Sequence, residues 1–326
     1  IYSNFLSGTI PTTINILTNI ESFDFGNNQF IGIIPIHITY LNSMTYFSIY
    51  DNYLSGSIPT NIGICTKLQY FSIDGNIMTG TIPSTLLNMN LTYLSIQFNQ
   101  FTGTFPELIN QSQDYHINTL YITNNFLTGT LPSSIDKMLK LNYFTINSNL
   151  FTNTIPNSIT KLINLLNFNG EYNAFSGEIP ANIGDMQHIT YLQIGYNNLD
   201  GTLPSNIGSC VSLNDLYLEN CYLYGSLPSS IGQLSNLKNL YINNNQFTSQ
   251  IPESIGNVTL LRRMYLNQNH FNGSIPDSIG NMNNMIEIYL HNNKLSKNLP
   301  VSIGQLTQLY RLSMSHNHIT GPLPDS

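Results

Sequence analysis

The stretch Asn197-Asn198-Leu199-Asp200-Gly201-Thr202-Leu203-Pro204-Ser205-Asn206-Ile207-Gly208 decides the reading of this chain, because nearly everything else repeats it. Fourteen of the 15 prolines occupy its proline position, at 11, 35, 59, 83, 106, 132, 156, 180, 204, 228, 252, 276, 300 and 324. The step is 24 residues, broken once by 23 and once by 26. A fixed period of this size marks a solenoid, in which each turn touches only its neighbours. The 326 residues are therefore read as one elongated domain, 1–326, of about fourteen 24-residue turns rather than two globular domains. The chain starts and stops part-way through a repeat, so capping segments are expected beyond both ends.

Composition excludes several classes. A formal charge of −7 with 8% charged residues lacks the basic stripe a nucleic-acid partner requires. No run of 18 apolar residues is present, so no membrane span is expected within this segment. Charge is uneven: residues 1–230 carry 13 acids and four bases, whereas 231–326 carry four acids and six bases. The three cysteines, Cys65, Cys210 and Cys221, are too few for a disulfide framework and read as small buried residues.

One asparagine recurs per turn: Asn4, Asn28, Asn52, Asn76, Asn99, Asn125, Asn149, Asn173, Asn197, Asn245, Asn269, Asn293 and Asn317, with Cys221 standing in once. Each is expected to turn inward after a short strand and bond backbone groups, since a buried amide is tolerated only when satisfied. Upstream, apolar residues such as Ile189, Leu192 and Ile194, or Leu237, Leu240 and Ile242, face inward. The residues alternating with them point outward on a parallel sheet. The Leu-x-Gly-x-Ile-Pro segment, as in Leu127 to Pro132, predicts a second short strand, and the Pro-x-x-Ile-Gly-x-Leu that follows is short enough for a 3₁₀ turn.

The repeat L-x-x-L-x-L-x-x-N-x-L-x-G-x-I-P, seen in Gly56-Ser57-Ile58-Pro59 and Gly273-Ser274-Ile275-Pro276, resembles the plant-type leucine-rich repeat of receptor-like kinase ectodomains and polygalacturonase-inhibiting proteins. The resemblance covers almost the whole chain. It implies an α/β, mainly β fold: a right-handed leucine-rich-repeat solenoid with a parallel concave sheet, a short second sheet and convex 3₁₀ turns. It also implies peptide or protein binding on the concave sheet, although function lives in sites grafted onto a fold.

On that sheet the outward residues form columns. Tyr46, Tyr70, Tyr93, Tyr143 and Tyr191 share one column, and Tyr217, Tyr241, Tyr265 and Tyr289 occupy the next in four successive turns. Arg263, Glu287 and Arg311 flank the latter stripe on one side, with Glu219, Asn243, Asn267 and His291 on the other. Tyrosine and arginine are enriched in interfaces, but a cross-strand tyrosine ladder also stabilises a sheet by itself. The sequence favours neither role.

Sequons at Asn90, Asn110, Asn257 and Asn272 fall outside the ladder, on predicted turns or loops, and imply a secretory route with glycans on some of them. Thr79/Thr81, Thr102/Thr104, Thr128/Thr130 and Thr152/Thr154 suggest a flat threonine array on the second sheet, a pattern that some ice-binding solenoids use; β-branched residues also simply favour strand. The 23-residue step, at residues 86–91, and the 26-residue step, at 107–116, are expected to bulge, and Gly170 in a core position predicts a packing defect. No cofactor, no metal site and no catalytic constellation is expected: seven histidines are scattered, and no paired carboxylates, nucleophile elbow or phosphate loop is present. The leading expectation is an extracellular or cell-surface module binding a protein, peptide or glycan. The alternatives are a structural repeat protein of a coat, adhesin or filament, with self-association, and an ice-binding protein.

Overall fold

The computed structural model describes residues 1–108 and 115–324, which fall into two compact units, Ile1–Leu165 and Leu166–Ser326. Each unit is a mainly β solenoid. In the first, the strands Ser22–Asp24, Tyr46–Ser48, Tyr70–Ser72, Tyr93–Ser95, Thr119–Tyr121 and Tyr143–Thr145 form a parallel sheet. In the second, Asn167–Asn169, Tyr191–Gln193, Asp215–Tyr217, Asn239–Tyr241, Arg263–Tyr265, Glu287–Tyr289 and Arg311–Ser313 do the same. Register on this first sheet joins repeat equivalents, for example Tyr217 with Tyr241 and Tyr241 with Tyr265. Inward residues are sealed: Leu192, Ile194, Leu240 and Ile242 are all 1% exposed or less.

The ladder forms as the sequence leads one to expect. Asn245 Nδ2 donates to Ile242 O and Asn243 O in its own turn and to Leu218 O in the turn before, while its Oδ1 accepts from Leu223 N at 3.0 Å. The same set recurs at Asn28, Asn52, Asn76, Asn125, Asn149, Asn197 and Asn269, and Asn293 keeps its Oδ1 acceptor bond and two of the donor bonds. Cys221 replaces it with long sulfur contacts of 3.7 Å to Ile194 O and Glu219 O. All three cysteines are free and buried.

Among the described residues the proline is followed by 3₁₀ turns, with one α-helical turn at Ser84–Leu87 at the 23-residue step, and from Ile183 onward each 3₁₀ turn carries an Ile-Gly pair. That glycine is a packing requirement. A Cβ on Gly232 would lie 2.3 Å from Ser254 O of the next turn, and one on Gly256 would lie 2.3 Å from Ser278 O.

The structure corrects three expectations. Gly170 leaves no hollow, because the rings of Phe168 and Phe175 fill the place and a Cβ there would sit 3.3 Å from Phe168 Cζ. The threonine array is not in register. Strands of the second sheet pair with a two-residue stagger, so Thr104 faces Thr128 rather than its equivalent Thr130, and Thr128 faces Leu150. Thr79 to Thr81 form no strand at all. A left-handed residue interrupts each of these pairs on the strands, Gly103 at φ 81°, Gly129 at φ 76° and Asn153 at φ 59°. Third, Asn272 lies on a short strand, Asn272–Gly273, rather than a loop. It is exposed there, as are Asn90, in the loop after the α-helical turn, and Asn257, in a 3₁₀ turn. Asn110 and most of the 26-residue step lie outside the described residues; beside them Tyr115 is 2% exposed and its hydroxyl donates to Asn88 Oδ1.

Candidate functional site

The unit formed by residues 166–326 brings the tyrosine column together. Each tyrosine is the third residue of its strand, and 24-residue register sets one ring over the next. Ring centroids are 4.7 Å apart for Tyr217–Tyr241, 4.3 Å for Tyr241–Tyr265 and 4.4 Å for Tyr265–Tyr289. All four rings are half-buried, leaving one surface open. Stacked pairs contribute about 0.5–1.5 kcal/mol each beyond burial, so the stack stabilises the sheet whatever else it does.

The first residues of the same strands form a polar column beside it. Asn239 donates to Asp215, Arg263 donates to Asn239 Oδ1 at 3.3 Å, and Arg263 pairs with Glu287 at 3.6 Å. Glu287 Oε2 also accepts from the Tyr265 hydroxyl, and Arg311 donates to the Tyr289 hydroxyl at 3.3 Å. Arg311 is exposed and also covers the ring of Tyr310. Arg311 therefore holds the Tyr289 hydroxyl directly and Arg263 is linked to the Tyr265 hydroxyl only through Glu287, and a guanidinium has five N–H donors, more than these contacts use.

The other flank differs from expectation. His291 is half-exposed with Nδ1 3.1 Å from Ser313 Oγ, and Asn243 is half-buried, but Glu219 and Asn267 are each only 8% exposed and do not stand open on the flank. Residues of this column sit where the chain leaves the strand and turns toward the ladder asparagine. Glu219 sinks because Gly195, the equivalent one turn earlier, has no side chain: a Cβ on Gly195 would lie 3.0 Å from Glu219 Oε2. One turn earlier still stands Glu171, which the sequence reading overlooked. Its signal was there: Glu171, Gly195 and Glu219 are successive members of one 24-residue column.

Burial pushes the Glu219 carboxyl up to about 7, and burial followed by the Glu219 charge does the same for Glu171. Both folded values exceed the unfolded value of 4.5, so the folded chain binds extra protons between about pH 4.5 and 7. Stability should accordingly fall as pH rises through that window. Glu219→Gln should flatten the fall, which urea midpoints at pH 5 and pH 8 will read; an unchanged pH slope would refute the burial argument.

A Leucine Rich Repeat family model matches residues 90–112, 116–138, 188–210, 212–234, 236–258, 260–282 and 308–326. Among solved structures, the chain is similar to the ectodomain of the plant membrane receptor kinase GASSHO1/SCHENGEN3 from Arabidopsis thaliana, in complex with CASPARIAN STRIP INTEGRITY FACTOR 2. Identity is 30% and the TM-score 0.81, over 98% of this chain and 41% of that one. It is likewise similar to the plant peptide hormone receptor RGFR1 in complex with RGF2, at 28% identity and TM-score 0.84, over 97% and 55% of the two chains. The chain is a plant-type leucine-rich-repeat protein. This leucine-rich-repeat protein spans about half the length of those plant receptor chains. It is also similar to a leucine-rich-repeat protein of Leptospira interrogans, at 25% identity and TM-score 0.68, over 96% and 88% of the chains. A search of curated protein sequences finds no match. No helix among the described residues is long and apolar enough to cross a membrane.

Proposed function

We propose that this chain is a non-catalytic recognition module, exposed at the cell surface or outside the cell, whose tyrosine face in residues 166–326 binds a peptide or protein. The observation that carries the reading is the stack from Tyr217 to Tyr289. Four half-open rings lie in a row beside Arg263, Glu287 and Arg311. A rigid aromatic row with adjacent charged donors and acceptors is the composition of a binding hot spot. Two of the similar structures are plant receptors in complex with their named partners, which supports peptide or protein binding by a chain of this fold. The exposed sequons Asn90, Asn257 and Asn272 support a secretory route, with glycans carried at those exposed positions.

The test is a selection of phage-displayed random dodecapeptides on the wild-type protein. Retested on the Tyr241→Ala/Tyr265→Ala variant, the selected peptides should lose about tenfold or more in affinity, as truncation of hot-spot tyrosines does. Circular dichroism should stay unchanged. Equal capture by the folded variant would remove the tyrosine face from the reading.

A structural role has one observation of its own: Ile31, Ile33 and Tyr53 are each more than half exposed on the second sheet of residues 1–165. Side-by-side packing of copies through that apolar surface would show as concentration-dependent sedimentation, and a persistent monomer would dismiss it. Ice binding keeps only its threonine composition as support, against the staggered register; normal ice growth in the protein's presence would dismiss it.

A further inference from the structure

The hollow over Gly195 is built by three consecutive turns. Backbone bonds hold it, with Tyr172 N donating to Gly195 O and Tyr196 N to Glu219 O at 2.8 Å. Glu171 stands half-exposed at one side and Glu219 at the other, its Oε2 buried over the glycine with no hydrogen-bond partner. Its own backbone N–H partly relieves the Glu219 carboxylate, but an oxygen that gives up water without gaining a partner is costly, and buried charges are normally paired. Among the described residues the two ion pairs are Lys161–Asp136 and Arg263–Glu287, and neither reaches the hollow.

The surroundings are aromatic. Tyr172 stacks on Tyr196 at 4.3 Å, and burial first, with the two glutamates as lesser causes, raises the titration of Tyr172 and of Tyr217. The other titratable groups facing the hollow are Cys221 and, further along the column, Tyr241. Two carboxylates one turn to either side of Gly195, with tyrosine rings in the neighbouring columns and one carboxylate oxygen unsatisfied, make a receptor for a planar or compact cation.

We propose that the Glu171–Gly195–Glu219 notch binds a basic side chain, arginine above all, of the peptide or protein that occupies the tyrosine face. The proposal rests on the functional reading above and names the charge its partner carries. Gly195 makes the notch possible, since any side chain there would push Glu219 out of the hollow. Tyr217 links it to the stack, because it ends its strand two residues before Glu219 and is the first ring of the row. A bound peptide would thus place a basic residue beside the Tyr217 end and apolar or aromatic residues further along.

The experiment titrates the protein with acetyl-Gly-Arg-Gly-amide, and with the same peptide carrying neutral citrulline, following the amide signals of Gly195 and Tyr196 by NMR at pH 8. The arginine peptide should shift both signals and the citrulline peptide should not. Glu219→Gln and, separately, Glu171→Gln should each weaken the arginine peptide at least tenfold. At pH 5, below both raised carboxyl values, the wild type should weaken in the same way. Equal response to arginine and citrulline, or full binding by both variants, would overturn the proposal. So would calcium chloride saturating the same amides at concentrations where the arginine peptide does not, since that would make the notch a metal site. Failure here with loss of phage-selected peptides on the Tyr241/Tyr265 variant would remove the notch alone. The reverse pattern would remove the tyrosine face and leave the notch.

Discussion

Asn245→Ala should cost about 3 kcal/mol, shown as a lower urea midpoint with little change in slope. The substitution deletes an acceptor for Leu223 N and a donor that serves Leu218 O, Ile242 O and Asn243 O. Leu223 and Leu218 are fully buried, so water does not replace what is lost, and each orphaned buried group costs about 1–3 kcal/mol. Cys221→Ala is the matched control, because that position makes only long sulfur contacts of 3.7 Å and should lose about 1 kcal/mol or less. If the two variants lose the same amount, the amide ladder is not what holds successive turns together.

Gly232→Ala should be comparably damaging, at or above the upper end of the roughly 1–3 kcal/mol typical of overpacking. The added carbon would meet Ser254 O at 2.3 Å and Ser254 Cβ at 2.8 Å, and backbone cannot swing aside as a flexible side chain can. Gly63 offers the contrast within the same repeat position. The turn after it is the α-helical one, and its new Cβ would meet the Thr85 side chain at 3.2 Å, so Gly63→Ala should cost under about 1 kcal/mol. Similar thermal midpoints for the two variants would argue that the close approach relaxes without penalty.

The fold was legible because one 24-residue unit recurs with its proline, asparagine and inward aliphatics in place, and the first sheet keeps that register strand by strand. The tyrosine and arginine columns followed from the same register. What the sequence concealed depends on space rather than order. Glu219 and Asn267 read as flank residues and are buried, Glu219 because its neighbour Gly195 leaves room for it. Gly170 read as a gap and is filled by Phe168 and Phe175, since a phenylalanine two positions away supplies the missing volume. The second-sheet stagger was hidden because a period gives which residues are equivalent, not which of them pair across strands.

That stagger bears on how such a protein acquires new surfaces. Copying one 24-residue segment in tandem stamps the same residue into a straight file on the first sheet, where equivalents pair. On the second sheet each copy lands two residues along the strand, roughly 7 Å, from the partner of the one before. Gene duplication therefore extends an aromatic row on one side and scatters the same innovation along a diagonal on the other. A binding strip can lengthen there by simple reiteration, as four tyrosines in succession have done.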